Sequence, residues 1–340
     1  MKYIKLFNEY TDYEQFMNTG DICLPNLSYC ENDNKFYFNL NTEHKLIVIY
    51  NVEDDNELTV LYCYELGVYA TDIFSEIEID NVKILPNDLD NAEGKYQLSN
   101  GEHVVKYTLI NPEIICSNLF TNCYNIKNIR IPNGVKYIAD AAFSNCQELI
   151  GITIPDSVIN IGNDVFMNCS EITSISLPVG VTSLGDYAFQ NCLHLTNTNI
   201  PDGITSIGEY TFSLCMRLTN INIPNSVLYL EEASFFSCKS FTNINIPNSV
   251  RLIGKSAFKE CKKLETVVIG SGITSIEENA FYDCSELSTL TINAINPPTL
   301  GNNVFSTLTN DFKIYVPEES IDVYKTSPNW STLANNIYAI

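Results

Sequence analysis

Cysteine is the most regularly placed reactive residue in this sequence of 340 residues. Eight of the twelve cysteines lie 23 residues apart, at Cys123, Cys146, Cys169, Cys192, Cys215, Cys238, Cys261 and Cys284. Such a fixed period is typical of stacked coils, in which equivalent thiols could form disulfides or bind zinc. Parallel side chains on rungs about 4.8 Å apart hold their Cβ atoms too far apart for a good disulfide. One straight column also cannot surround zinc tetrahedrally, so the spacing predicts reduced thiols that fill a core.

The other four cysteines, Cys23, Cys30, Cys63 and Cys116, lie outside this series. Cys23 and Cys30 are close enough in sequence to pair, and the sequence leaves that pairing open. Because the regular series does not indicate an oxidising compartment, free thiols are the expectation at all four positions.

The sequence contains few other residues that could do chemistry. Its three histidines, His44, His103 and His194, have no partner at a metal-ligand spacing, and the usual motifs for zinc, phosphate or nucleophilic catalysis are missing. The acidic run at 53–57 could supply oxygens to Ca²⁺, but it lacks the glycine of a calcium loop, so a solvated turn is favoured. We therefore expect no metal, no cofactor and no enzyme activity.

Charge argues against two classes of partner. The chain carries 41 acidic residues against 19 lysines and arginines, a net charge of −22, and residues 1–110 alone contribute −13. A nucleic-acid or anionic-membrane binder would need a basic face. No apolar run is long enough to span a membrane, and the first residues lack the apolar core of a signal peptide. The exception is a small basic island in the late repeats, which consists of Lys239, Arg251, Lys255, Lys259, Lys262 and Lys263. A solvated surface is favoured there over a site for an anionic partner.

Each 23-residue segment reads as one coil of a β-solenoid. In the segment 218–238, Ile221 and Ile223 alternate with Asn220 and Asn222, which is the pattern of a short strand with one buried face. Pro224 ends that strand because it has no N–H to donate. A second short extended segment follows, and phenylalanine stands three residues before each cysteine of the series. Coils of this kind bury their apolar edges only by stacking.

These positions together carry a family resemblance. The segment 246–264, IPNSVRLIGKSAFKECKKL, resembles the BspA-type (Treponema-like) leucine-rich repeat, and the resemblance covers about residues 105–340. It implies a mainly β leucine-rich repeat solenoid and a non-enzymatic surface, adhesion or recognition protein. The end of the chain resembles the last module of the family, in which Trp330 and Tyr324 would pack on the open end of the stack.

The sequence divides into three predicted parts. Residues 1–105 form a small β-rich adaptor or attachment domain, residues 106–295 form the solenoid of about eight repeats, and residues 296–340 form a C-terminal cap. The opening segment is similar to leaders of gut Bacteroidetes proteins and of virion proteins of their phages. That similarity favours a virion-surface location for a phage structural protein. A bacterial cell surface, reached by a route not visible as a signal peptide, is the alternative.

The outward side of the first strand of each coil, the strand face, is the predicted binding surface. Its central residues are Ser174, Ser176, Asn197, Asn199, Asn220, Asn222, Asn243 and Asn245. Their amides and hydroxyls could bind a protein or a carbohydrate surface, or they could only solubilise the face and reinforce the pairing of the coils. The resulting hypothesis is a recognition or adhesion protein. The alternatives are an assembly protein that docks to a larger particle through its N-terminal domain and an exported bacterial adhesin.

Overall fold

The computed structural model describes residues 27–30, 35–38, 45–52, 58–60, 69–91, 94–306, 309 and 311–340. These residues are mainly β, as predicted, and form an antiparallel N-terminal part followed by a parallel solenoid. The cysteine and acidic-run predictions at Cys23, Cys63 and 53–57 lie outside the described residues, as do the side chain of Cys30 and residue His44.

Among its described residues, the N-terminal part contains eight strands and two short helices. The strands are β1 (Leu27–Cys30), β2 (Lys35–Phe38), β3 (Lys45–Val52), β4 (Leu58–Val60), β5 (Phe74–Ile79), β6 (Val82–Ile84), β7 (Lys95–Gln97) and β8 (Gly101–Leu109). The helices are α1 (Ala70–Ile73) and α2 (Pro86–Asn91). Strands β1 and β2 pair antiparallel, as do β4 and β7. The predicted boundary after residue 105 falls inside β8.

The solenoid has two walls of short parallel strands. The strand face consists of β10 (Ile126–Arg130), β12 (Gly151–Thr153), β14 (Ser174–Ile175), β16 (Asn197–Thr198), β19 (Asn243–Ile246), β21 (Thr266–Ile269), β23 (Thr289–Ile292), β25 (Lys313–Val316) and β26 (Ile337–Ala339). The opposite wall consists of β9 (Ile114–Ile115), β11 (Tyr137–Ile138), β13 (Asn160–Ile161), β15 (Ser183–Leu184), β17 (Ser206–Ile207), β18 (Tyr229–Leu230), β20 (Leu252–Ile253), β22 (Ser275–Ile276) and β24 (Thr299–Leu300). The chain closes with two 3₁₀ helices, Glu318–Ser320 and Trp330–Asn336, and with α3 (Ile321–Thr326).

Two left-handed residues turn the chain after the second strand of each coil. In one coil these are Ala141 at φ 54° and Asn145 at φ 60°, and the same two positions recur through the stack. A positive φ is unfavourable for residues other than glycine, although asparagine tolerates it well. Hydrogen bonds to the next coil compensate for the strain, because Ala141 N–H donates to Asn163 O at 2.8 Å and Asn145 N–H donates to Met167 O at 2.7 Å.

Phenylalanine rings form one continuous column through the core. The column runs from Phe120 to Phe305, and successive ring centroids lie 5.2 to 5.7 Å apart with nearly parallel planes. Phe305 comes 24 rather than 23 residues after Phe281, yet its ring continues the column. Because each coil supplies one ring, the coils can bury these rings only by stacking.

The eight repeat cysteines are buried and are not disulfide-bonded, which confirms the prediction of a reduced core series. From Cys146 onward, each thiol donates to the carbonyl oxygen of the phenylalanine 26 residues earlier, at 3.1 to 3.3 Å. Cysteine therefore supplies both apolar volume and a donor for a buried carbonyl. Burial raises the pKa of the thiols from Cys146 to Cys284, to about 12 for Cys192 and Cys284.

Both ends of the column are covered by aromatic residues. At the N-terminal end, Tyr107 of β8 packs edge-on against Phe120 with centroids 5.6 Å apart, and its hydroxyl lies 2.9 Å from that of buried Tyr50. At the C-terminal end, Trp330 packs on Phe305 at 6.2 Å and on Tyr324 at 5.2 Å. Trp330 and Tyr324 are buried, which confirms the predicted capping role.

Cys116 corrects one expectation from the sequence. It was predicted to be a free thiol, but it is disulfide-bonded. Cys116 directly follows Ile114 and Ile115, which form β9, the first strand of the wall opposite the strand face. The disulfide therefore links the start of the solenoid covalently to another part of the chain. The 23-residue period could not reveal this bond, because Cys116 lies outside that period.

Candidate functional site

The strand face presents its predicted residues to solvent, with one exception. Ser174, Ser176, Asn197, Asn220, Asn222, Asn243 and Asn245 are exposed, whereas Asn199 is half-buried. Strand pairing aligns parts of these rows: Ser174 lies opposite Asn197, and Asn245 opposite Val268. Among the described residues, the strand predicted around Asn220 and Asn222 does not form, because this coil makes no ladder hydrogen bonds to its neighbours on this wall. The alternating residues, such as Ile221 and Ile244, point into the core.

The middle of the strand face is uncharged. All eight of its predicted binding residues are serines or asparagines, although the whole chain carries a net charge of −22. Amides and hydroxyls present both donors and acceptors without repelling either sign of charge. The arrangement can therefore bind a polar, neutral surface through hydrogen bonds.

Asn199 has a structural role that its neighbours on the face do not share. Its Nδ2 donates to Leu177 O, and its Oδ1 accepts from Leu177 N–H, each at 2.8 Å. The amide thus pairs with the main chain of the preceding coil as a peptide group would. This geometry assigns Asn199 to coil pairing, which was one of the two sequence interpretations.

The asparagine ladder of this protein forms at another position. Asn145, Asn168 and Asn191 each donate from Nδ2 to Oδ1 of the asparagine one coil earlier, at 2.7 to 2.9 Å, starting from Asn122. These residues precede the repeat cysteines and have left-handed backbones. Sequence reasoning missed this ladder, although asparagine before cysteine in four consecutive repeats was the available signal.

The strand face continues onto the N-terminal part of the chain. Strand β10 of the first coil pairs with β12 on one side and antiparallel with β3 on the other, within the sheet order β12-β10-β3-β8-β5-β6. One cross-strand row on this sheet runs in register through Thr153, Arg130, Ile47, Lys106, Glu78 and Lys83. A partner could therefore contact both parts of the chain on one surface.

At its other end the strand face becomes aromatic. Tyr315 of β25 lies opposite Thr291 on one side and Tyr338 of β26 on the other, and the two tyrosine rings are 6.1 Å apart. Sequence reasoning missed the two tyrosines, because the last coils depart from the 23-residue period. Tyr338 is 46% exposed and Tyr315 is half-buried. Tyrosine is a common anchor in protein interfaces.

The family of the chain follows from its repeats. The sequence model of the BspA type leucine rich repeat region matches six copies, over residues 113–242 and 229–327. The chain belongs to the BspA-type leucine-rich repeat family. No curated protein sequence matches this BspA-type chain.

Several solved structures are similar to this BspA-type chain. A leucine-rich repeat protein from Bacteroides ovatus is 24% identical, with 72% of each chain covered and a TM-score of 0.38. A leucine-rich repeat protein from T. pallidum is 25% identical over 60% of this chain and 90% of its own, with a TM-score of 0.45. A leucine-rich cell surface protein from Faecalibacterium prausnitzii is 24% identical over 57% of this chain and 60% of its own, with a TM-score of 0.39.

One serine–histidine–aspartate arrangement of this BspA-type chain escaped sequence reasoning. Ser99 Oγ lies 3.3 Å from His103 Nε2, and His103 Nδ1 lies 2.6 Å from Asp80 Oδ2. The main-chain oxygen of Ser99 is nearer to Nε2, at 2.8 Å. A carbonyl oxygen and a carboxylate can only accept, so both ring nitrogens donate. The protonated ring has no lone pair to take a proton from Ser99, so this cluster holds the β5–β6 turn to β8 and does not activate a nucleophile.

The electrostatics of this cluster agree with a protonated histidine. Burial acts to lower the pKa of His103, but its bonds to Asp80 and Ser99 and the charge of Asp80 outweigh burial and raise that pKa. Burial likewise acts to raise the pKa of Asp80, but hydrogen bonds from His103 and from Val104 N–H, with the histidine charge, lower it. The two groups therefore stabilise each other as an ion pair.

The basic island of the late repeats is largely engaged by its own neighbours. Lys255 lies 3.5 Å from Glu232, and Lys262 lies 3.5 Å from Asp283. Lys259 Nζ lies over the ring of Phe236 at 5.9 Å and over that of Tyr282 at 5.3 Å. An anionic partner at this island stays a prediction.

The remaining chemistry predictions concern metals, His194 and membranes. Within the described part of the chain, no group of three or more histidine, cysteine or acidic side chains could hold a metal ion. His194 Nδ1 lies 3.0 Å from Ser170 O and 3.2 Å from Glu171 Oε1, in the solvated setting expected for a surface residue. No helix among the described residues is long and apolar enough to cross a membrane.

Proposed function

We propose that this chain is a non-enzymatic recognition protein that binds a glycan or protein partner through its strand face. The observation that carries this proposal is the uncharged middle of the face, where exposed amides and hydroxyls stand in aligned rows on a protein of net charge −22. The rigid stack fixes those groups before binding, which reduces the entropy that the complex must lose.

The residues of the face favour a neutral polar partner. Asn222 and Asn245 are exposed, and each amide offers two donors and an acceptor. Neutral sugars present hydroxyl groups with the matching properties. We therefore favour a glycan for the middle of the face, with protein contacts at the aromatic end near Tyr315 and Tyr338.

The proposal includes a location outside the reducing cytosol. The disulfide at Cys116 supports it, since such bonds persist in oxidising compartments. We favour a bacterial cell surface, and the virion location inferred from the leader stays a prediction. Labelling of intact producing cells with a membrane-impermeant biotin reagent tests this part, and exclusive recovery of unlabelled protein from the cytosol would contradict it.

Assembly through the N-terminal part is a second candidate. Val82 and Leu85, on and beside the edge strand β6, are 65% and 68% exposed, and exposed apolar edges favour pairing with another chain. Light scattering of the full chain tests this candidate. Concentration-dependent oligomers that Leu85→Glu dissolves would support it, and a monomer at all concentrations would contradict self-assembly.

Binding to an array of neutral and acidic glycans and to immobilised mucin tests the recognition role. The face variant Asn222→Lys/Asn245→Lys adds two charges to the strand face. The control variant Gln147→Lys/Asn302→Lys adds the same two charges at exposed positions in turns away from that face. We expect neutral glycans to bind the wild type and the control variant but not the face variant.

A further inference from the structure

A groove lies where the strand face of the solenoid meets the N-terminal part of the chain. Its volume is about 330 Å³, and its lining includes Ile47 and Ile49 of β3, Arg130 of β10, and Ile150 and Thr153 of the second coil. This volume is at the lower end of the range of small-ligand sites, so it suits one or two amino-acid residues.

The groove exists because the face is interrupted at the second coil. Gly151 stands where the next coils carry Ser174 and Asn197, so a side chain is missing from the row. A Cβ atom at Gly151 would lie 3.1 Å from Asn128 Oδ1, which is closer than ordinary packing allows. The hydrogen-bonded sheet also ends at β12, and the next coils begin a separate sheet at β14.

One side of the groove is apolar. Ile47 and Ile49 point to the outer side of the sheet and are half-buried, and Ile150 is 48% exposed. From Ser174 to Asn245 the strand face carries serine and asparagine at the corresponding outward positions. A ligand with an apolar body would cover these isoleucine side chains and gain the free energy of their burial.

The other side of the groove is positive and hydrogen-bonding. Arg130 is exposed and makes no ion pair with any residue that the structure describes. No acidic side chain of the described residues lines the groove, although the chain contains 41 acids. The amide of Asn128 and the hydroxyls of Thr153 and Ser174 complete this side. A guanidinium suits a carboxylate, and the neutral groups suit a peptide bond next to it.

We propose that this groove binds the C-terminal residue of a partner polypeptide that ends in an aliphatic side chain. Arg130 takes the free carboxylate, the isoleucines cover the side chain, and the neutral polar groups take the last peptide bond. Capture of a C-terminal carboxylate is a known mode of peptide recognition. The inference rests on the proposed recognition role and names an anchor for a protein partner beside the glycan-binding face.

Fluorescence polarisation with a short peptide tests the site in the full chain. The probe carries its dye at the N-terminus and ends in leucine with a free carboxylate, and the matched probe ends in leucinamide. We expect saturable binding of the acid probe and an affinity for the amide probe that is about tenfold or more lower. Arg130→Gln should weaken binding of the acid similarly, and Gly151→Ser should weaken it by filling the groove. Thermal unfolding of each variant separates a lost contact from a lost fold.

Three results would overturn the proposal. The first is equal affinity for the acid and the amide, and the second is unchanged affinity of a folded Arg130→Gln variant. The third is a lack of saturation up to about 5 mM peptide, because a dissociation constant above that concentration is too weak for recognition. Free N-acetyl-leucine that binds as tightly as the peptide would instead indicate a small-acid site and overturn the polypeptide assignment. The face variant Asn222→Lys/Asn245→Lys should retain peptide binding, so failure of this inference is distinguishable from failure of the glycan proposal.

Discussion

The side chain of Asn199 binds both main-chain groups of Leu177, with two hydrogen bonds of 2.8 Å. The asparagines at the same position of the next two coils, Asn222 and Asn245, are exposed and bear their amides outward. Residues of one type in one row therefore divide between holding the stack together and facing a partner.

This division predicts that alanine has a large effect on stability at one of two equivalent positions and a small effect at the other. Asn199→Ala leaves a main-chain N–H and a carbonyl without partners and should lower the free energy of unfolding by about 1–2 kcal/mol. Asn222→Ala is the matched control and should change it by less than about 0.5 kcal/mol. Urea unfolding followed by circular dichroism compares them, and equal midpoints for the two variants would contradict the assignment.

The repeat thiols should resist alkylation in the native protein. Burial raises the pKa of Cys192 and Cys284 to about 12, so almost no thiolate is present near neutral pH. We expect iodoacetamide at about pH 8 to leave all eight repeat cysteines unmodified until denaturant is added, as read by peptide mass spectrometry. Rapid modification of Cys192 in the folded protein would contradict the buried column.

The Asp80–His103 pair should make stability depend on pH. The raised pKa of His103 gives stability that is present below the unfolded pKa and is lost as pH rises through the folded pKa. The lowered pKa of Asp80 gives stability that is present above the unfolded pKa and is lost as pH falls through the folded pKa. The contribution of the pair should therefore be complete between about pH 4 and pH 6.5.

The matched variants for this pH dependence are Asp80→Asn and His103→Gln. Each should lower stability most within that pH window and less at high pH, where the wild type also loses the charge on histidine. Unfolding free energies from urea titrations across the pH range provide the measurement. If the difference in unfolding free energy between a variant and the wild type is constant with pH, the charges of the ion pair do not contribute to stability.

The C-terminal cap should depend on both the ring and the N–H of Trp330. The indole N–H donates to Pro298 O at 2.8 Å, and the ring covers the end of the phenylalanine column. Trp330→Ala should lower the free energy of unfolding by about 3–5 kcal/mol. Trp330→Phe keeps an aromatic ring but leaves the carbonyl unpaired, so it should cost about 1–3 kcal/mol. If urea unfolding shows the same loss of free energy for both variants, the aromatic ring does not contribute to the stability of the cap.

The repeating part of the fold could be predicted because each position meets the same surroundings in every coil. Phe212 and Cys215 are buried for the same reason as their equivalents one coil away, and a period of 23 residues makes that visible in sequence. Contacts that occur once carry no such signal. The register of Arg130 with Ile47 and the bonds among Asp80, Ser99 and His103 depend on how the N-terminal strands pair, which local patterns do not specify.

The face could be located from sequence, but the roles of its members could not. Alternation assigned Asn199, Asn222 and Asn245 alike to the outward side. Only the position of the neighbouring coil decides which amide reaches a main chain, and the Leu177 main chain lies within reach of Asn199. The groove beside Gly151 likewise results from one missing side chain at the junction of two sheets.

The most direct test of the recognition role is the affinity of the face variant for a glycan that the array identifies. Surface plasmon resonance with the full chain would give dissociation constants for the wild type, Asn222→Lys/Asn245→Lys and Gln147→Lys/Asn302→Lys, with melting temperatures to verify folding. We predict that the face variant loses about tenfold or more in affinity while the charge-matched control stays within about twofold of wild type. Wild-type affinity in a folded face variant would contradict recognition through the strand face.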